Sequence, residues 1–317
     1  MSLLTRHVAL ISESKRIRTG DVMRVAAALQ KQAIRDLTPI WGLSATVDAF
    51  DKLEDVPLGY WPIIVMDNID EPGAAGVHKD ENGQPFALVS AADALDGWSL
   101  TASHEALEML VDPFGNRLVA GESPAQGQGR VEFLVEVCDP SEAANYGYRV
   151  NGILVSDFYT PRYFDPAKAA GVRYSFRGVI SRPREVLPGG YLSWHDPVSD
   201  HWFQLIAFDG QPRIRDIGKL DARADSLRTQ IDRITEEERG RVNGPRAAMR
   251  AGSAARTSSA ETVEQSSRVE AGRLRAQIEE LRGSRAGRQT AQIRASEAAD
   301  GPEDVLDCGP KYPVSAV

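Results

Sequence analysis

Cysteine is scarce in this chain: of 317 residues only Cys138 and Cys308 carry thiols, far apart and in no CxxC pair. That excludes a disulfide framework and a cysteine zinc site, so any metal must be held by histidine and carboxylates. Long apolar runs are missing as well. No segment approaches the roughly 18 uninterrupted apolar residues of a membrane span, and no basic stretch followed by an apolar one opens the chain, so the expectation is a cytoplasmic protein without a membrane partner. Positive charge is in deficit, with a formal net charge of -8. That argues against specific binding of nucleic acid. The arginines from Arg239 to Arg294 are interleaved with Glu and Ala, which reads as a solvated helical or disordered arm.

Aromatic residues nearly vanish after Gly218, where Ala, Arg, Glu, Ser and Gln take over. This shift divides the chain into a folded domain over 1–216, a helical arm over 217–285 and a disordered tail over 286–317. In the first part, His7–Ser12 reads as a strand and Asp21 opens a helix through Ile34, closed by Pro39 and Gly42. Strands are expected at Ala45–Phe50, Ile63–Met66 and Pro85–Ser90, the last after the turn Asp80-Glu81-Asn82-Gly83. Val131–Val137 alternates as a strand that places Glu132 and Glu136 on one side. Further strands fit Arg149–Val155, Tyr174–Ile180 and Trp202–Phe208, around aromatic loops such as 158–164. In the arm, Ile217, Leu220, Ala224, Leu227, Ile231 and Ile234 are spaced three and four apart as a heptad seam. A second seam runs through Ala271, Leu274, Ile278 and Leu281. The two could form a hairpin, or each could pair with another chain.

The chemistry concentrates in Ser103-His104-Glu105-Ala106-Leu107-Glu108-Met109-Leu110-Val111-Asp112-Pro113. A helix is expected from about Ser99 to Val111, with Leu100, Leu107, Leu110 and Val111 as its apolar stripe. Each residue turns about 100°, so His104 and Glu108 share a face, flanked by Glu105 and Asp112. Pro113 disfavours helix at Asp112, and Gly115-Asn116 favours a reversal that brings later residues back. Without a metal, the same pattern also describes the wetted face of an amphipathic helix.

The run resembles the zincin metallopeptidases, and specifically exordium-like and other bacterial sequences in which His-Glu-x-x-Glu precedes Asp-Pro or Asn-Pro. The resemblance covers the motif and its strand-helix setting. It implies an α+β fold, a mixed sheet lying over the active-site helix. It also implies a zinc ion bound by His104 and Glu108, with Glu105 as general base. The third ligand is open between Asp112, at the helix end, and Glu136, on the following strand, with Asp139 a third choice. Such an oxygen-rich site could take another divalent ion, such as Mn²⁺ or Ca²⁺. Tyr159 or Tyr163 could donate to a tetrahedral intermediate. His78 is placed in a loop lining the cleft, His195 and His201 are reserve ligands, and Cys138 is a buried small residue. The expected activity is hydrolysis of a peptide or protein substrate. The alternative is a catalytically inactive module that binds partners or itself through the arm.

Overall fold

The computed structural model describes residues 4–243, apart from 72, 93, 209–210 and 222. The second heptad seam, the tail and Cys308 lie outside the described residues. The described chain is a mixed α+β structure of two five-stranded sheets and a small hairpin. No helix among the described residues is long and apolar enough to cross a membrane.

The first sheet is built from β1 (Thr5–Ser12), β2 (Ser44–Ala49), β3 (Tyr60–Met66), β4 (Gly76–Glu81) and β5 (Gln84–Ser90), in the order β2-β1-β3-β5-β4. Val8, Ala9, Leu10 and Ile11 of β1 are all fully buried, as a central parallel strand covered on both faces requires. All pairings are parallel except the last, where β4 runs antiparallel to β5 as the edge strand. Asn82 and Gly83 turn this hairpin with φ of 53° and 80°, the conformation of a two-residue hairpin loop. His78 therefore sits in a strand rather than in the expected loop; the run from Gly76 to Glu81 has too many polar residues to read as one.

Between β1 and β2 run α1 (Thr19–Gln32), a single π turn over Ala33–Leu37 and α2 (Thr38–Trp41). Pro39 does not close the helix as expected. It lies in the first turn of α2, where a missing N–H costs nothing, and the helix stops at Gly42 with φ of 66°. After β5 comes α3 (Leu95–Val111), the motif helix, packed on β4, β5 and β3. It starts four residues earlier than expected and is buried on several sides rather than along one stripe.

A polar knot fixes α3 against its neighbours. The buried Ser103 hydroxyl donates to Gln32 Oε1 at 2.8 Å and accepts from the Ser156 N–H at 2.9 Å. Gln32 Nε2 donates in turn to the Ser156 carbonyl at 2.9 Å and to Tyr148 Oη at 3.1 Å. These bonds join α1, α3 and the hairpin of β8 (Tyr148–Val150) and β9 (Ile153–Val155) in a dry region where unpaired polar groups would be costly.

The second sheet is antiparallel, with the order β12-β11-β10-β7-β6. It comprises β6 (Leu118–Glu122), β7 (Arg130–Leu134), β10 (Tyr191–Asp196), β11 (His201–Ile206) and β12 (Arg213–Gly218). β7 ends at Leu134, three residues short of the expected strand. The expected strand over Tyr174–Ile180 is irregular, with a single bridge from Ser175 to Tyr159.

The chain does not leave the body near Gly218. Ile217 belongs to β12, and the described helix α4 (Leu227–Asn243) starts ten residues later, so the six-position seam is not one continuous helix. Leu227 and Ile231 pack with Leu134, Trp202 and Ile217 in a second apolar cluster. At least this much of the seam is used to pack on the folded domain. Ile231 is 1 % exposed, so Ile231→Ala should cost about 2–5 kcal/mol of stability in urea unfolding. A loss below about 1 kcal/mol would mean α4 adds little to the body.

Candidate metal centre

The site forms where α3 meets the irregular segment after β7. His104, Glu105 and Glu108 come from the helix, and Glu136, Cys138 and Asp139 from residues 135–139. Two bonds clamp the segment to the helix. The Cys138 N–H donates to Glu108 Oε1 at 3.0 Å, and the Cys138 thiol lies 3.8 Å from the His104 carbonyl. Further along, the Tyr159 N–H donates to the Val137 carbonyl at 2.8 Å. A 3-10 turn at Asp139–Ser141, with Pro140 in its first turn, then presents the Asp139 side chain. β10 passes close by: a Cβ on Gly190 would stand 2.5 Å from the Asp139 carbonyl oxygen, so the position is closed to larger residues.

His104 Nε2 lies 3.2 Å from Glu108 Oε2 and 3.2 Å from Asp139 Oδ1. Both oxygens are buried and have no hydrogen-bond partner among the described residues, and His104 is the ion-pair partner each of them faces. Two ligands each about 2.0–2.1 Å from a tetrahedral zinc stand about 3.3 Å apart, a separation His104 Nε2 has to each of the two carboxylates; within 4.8 Å of one another, the donor atoms gather as His104 with Glu108 and Cys138, His104 with Asp139 and Glu142, and Glu108 with Glu136 and Asp139. One neutral imidazole and two carboxylates would balance a divalent charge. The His104 side chain is 12 % exposed while those of Glu108 and Asp139 are at most 2 %, so the site opens to solvent at the imidazole.

The other expected residues have different placements. Asp112 ends α3 and accepts from the Arg117 N–H at 2.7 Å, while the Arg117 guanidinium donates to the Val111 carbonyl. It closes the helix and is not among the gathered donors. Glu136 is gathered with Glu108 and Asp139, and its carboxylate, like that of Asp139, pairs with Arg228 of α4. Tyr159 is fully buried and stacked on Tyr163 at 4.4 Å, and its hydroxyl has no partner among the described residues. Burial first, then Tyr163 and the carboxylates Glu136, Glu108 and Asp139, raise its pKa well above the ordinary value, so it remains a proton donor. Tyr163 donates to the Glu185 carbonyl. His195 and His201 are occupied on the second sheet, by Glu132 and Asp200 and by Asp216 respectively.

His78 is the site residue whose setting the sequence concealed. From β4 its Nδ1 approaches Glu105 Oε2 at 3.5 Å and Glu108 Oε2 at 3.7 Å, and neither ring nitrogen has a hydrogen-bond partner among the described residues. Gly76, two residues earlier, lets α3 come this close, since a Cβ there would stand 2.7 Å from Glu105 Oε1. Arg228 is the second such residue, because it lies in the span expected to be a separate arm.

Electrostatics follow from burying several carboxylates together. For His104, burial opposes the charged ring, but Glu108 and Asp139 outweigh it and raise its pKa well above 6.5. For Glu108, burial acts upward, yet His104 and Arg228 pull the pKa well below the usual carboxylate range. Burial and then nearby carboxylates raise the Cys138 thiol well above its ordinary value, so it is no nucleophile at neutral pH.

Comparison with known protein families, characterised proteins and solved structures finds no match to this chain. The functional reading therefore rests on the site itself. The neighbouring carboxylates favour the protonated ring of His104, whereas a metal would take the neutral ring. Loading with zinc near pH 7 should release a proton, and affinity should fall as pH drops. Calorimetry in buffers of different ionisation enthalpy measures this; binding with no proton release would remove His104 from the ligand set.

Proposed function

We propose that the protein is a metal-dependent hydrolase acting on peptide bonds, with His104, Glu108 and Asp139 as ligands of a divalent ion, zinc being the first expectation. The observation that carries this reading is the approach of two buried carboxylate oxygens, neither with a hydrogen bond among the described residues, to one imidazole nitrogen, at 3.2 Å each. Bound there, the ion would polarise a carbonyl and lower the pKa of a water molecule.

The chain's own groups supply the remaining roles. Glu105 follows His104 on α3 and is the general base, taking a proton from the attacking water and passing it to the leaving amine. His78 Nδ1, 3.5 Å from Glu105 Oε2, faces that carboxylate from the edge strand. Tyr159, protonated and without a hydrogen-bond partner among the described residues, is a donor for the negative charge that develops on the carbonyl oxygen. A peptide is favoured over a compact substrate because β4, which carries His78, is an edge strand with one side unpaired in the sheet among the described residues. An extended chain can add to such an edge through backbone hydrogen bonds.

The test combines metal content by mass spectrometry with cleavage of an unstructured protein such as casein. The wild type should hold one zinc per chain, and His104→Ala and Asp139→Ala should lose it. Glu105→Gln should keep the metal and lower turnover by at least about 100-fold, the general acid-base contribution. A Glu105→Gln variant as active as wild type would overturn the catalytic assignment. A wild-type protein that is folded and free of metal after loading with zinc would overturn the metal site.

A further inference from the structure

The two oxygens of Asp139 face different partners, Oδ1 His104 and Oδ2 Arg228. We infer that Arg228 is a positioning residue that sets the Asp139 carboxylate for the metal; the inference rests on the reading of His104, Glu108 and Asp139 as ligands. Arg228 Nη1 donates to Asp139 Oδ2 at 3.0 Å, which leaves Oδ1 turned to His104 Nε2 at 3.2 Å. The two oxygens thus have separate tasks, the arrangement by which outer hydrogen bonds orient a metal ligand.

The guanidinium is itself immobilised. Nη1 also pairs with Glu136, Nη2 donates to Tyr191 Oη at 2.9 Å and Nε donates to Asp232 Oδ2 at 3.0 Å. Its backbone is tied to the turn that closes the ligand helix: the Arg228 N–H donates to the Gly115 carbonyl at 3.1 Å, and the Leu227 N–H to Asn116 Oδ1 at 2.9 Å. Gly115 has no Cβ, which would stand 2.8 Å from the Arg228 Cβ. The helix that bears His104 and Glu108 and the arginine that orients Asp139 therefore share one anchor.

A competing effect acts in the opposite direction, because a guanidinium repels a cation. Here that repulsion is muted. Glu136 and Asp232, neither of them in the proposed ligand set, already pair with Arg228, and its approach to Glu108 Oε2 is 3.7 Å, with no hydrogen bond between them. Without Arg228, the buried Glu136 and Asp139 would lose their common cation and repel each other, moving the Asp139 carboxylate away from His104.

The experiment measures zinc affinity of the full chain by competition with a chelator, and the visible spectrum of the cobalt-loaded protein as a report of ligand geometry. Arg228→Gln should weaken zinc binding by about 10–100-fold, the usual effect of losing an outer-shell partner, and alter the cobalt spectrum. Arg228→Lys restores a charge but not the fork, and should fall between Arg228→Gln and wild type; it also serves if Arg228→Gln does not fold. Val47→Ala, buried on β2 at the opposite edge of the first sheet from β4, lowers stability without loosening α4 and should retain wild-type affinity and spectrum. The inference is overturned if both Arg228 variants bind zinc as tightly as wild type or tighter, or if Val47→Ala weakens binding as much as they do. A wild type that binds no zinc brings down the metal site itself, whereas a wild type that binds and a His104→Ala that does not leave it standing and isolate the role of Arg228.

Discussion

Glu105, Glu108, Glu136 and Asp139 are buried together, and the need to compensate four carboxylates away from water constrains everything near them. Isolated buried charges are too costly to persist without opposite charge and hydrogen bonds. The compensation comes from distant parts of the sequence: Arg228 from α4, the Cys138 N–H from the segment after β7, and the imidazoles of His104 and His78. The supply is uneven. Arg228 contacts both Glu136 and Asp139, while one oxygen each of Glu108, Glu136 and Asp139 has no hydrogen bond among the described residues. Of the two imidazoles, His104 is the one that reaches solvent, at 12 % side-chain exposure against 1 % for His78.

The motif helix was legible because its information is local. A spacing of four along a helix puts two side chains on one face whatever surrounds them, and the expected helix lies within α3. The strands His7–Ser12, Ala45–Phe50 and Ile63–Met66 were legible for a similar reason, since continuous apolar runs between turn residues have few other uses. What failed was whatever depends on where the chain leaves regular structure. Alternation through Val137 grouped Glu136 with Glu132, but β7 stops at Leu134 and the next residues turn inward, so Val135, Glu136 and Val137 are all buried. Asp139, the third choice of ligand from the sequence, begins a 3-10 turn with Pro140, and its carboxylate reaches His104 from that turn.

Asp112 and Arg228 illustrate a second limit. Proximity in sequence favoured Asp112 as a ligand, yet a carboxylate at a helix end has a nearer use in binding the N–H groups of the following turn, as the Arg117 N–H shows. Arg228 belongs to a stretch whose composition resembles an arm. Its apolar spacing is equally compatible with packing on another chain or on its own domain, and only tertiary structure decides. Here Leu227 and Ile231 are buried with Trp202, and the same docking brings the arginine within reach of the acidic cluster.

The polar knot around Ser103 bears on mechanical tolerance. Ser103 and His104 are adjacent on α3, so the roll of the helix that lets the Ser103 hydroxyl meet Gln32 and Ser156 also sets the heading of the imidazole. A side-chain tip about 6 Å from the helix axis travels about 1 Å for every 10° of roll, while functional constellations tolerate errors of about 0.5 Å. The helix must then hold its rotation to about 5°. Apolar packing alone is forgiving of such small angles, whereas a hydroxyl caught between a donor and an acceptor from two other elements is not. Gln32, on a helix that contributes no donor to the site, thereby acts as the angular stop for the centre's geometry.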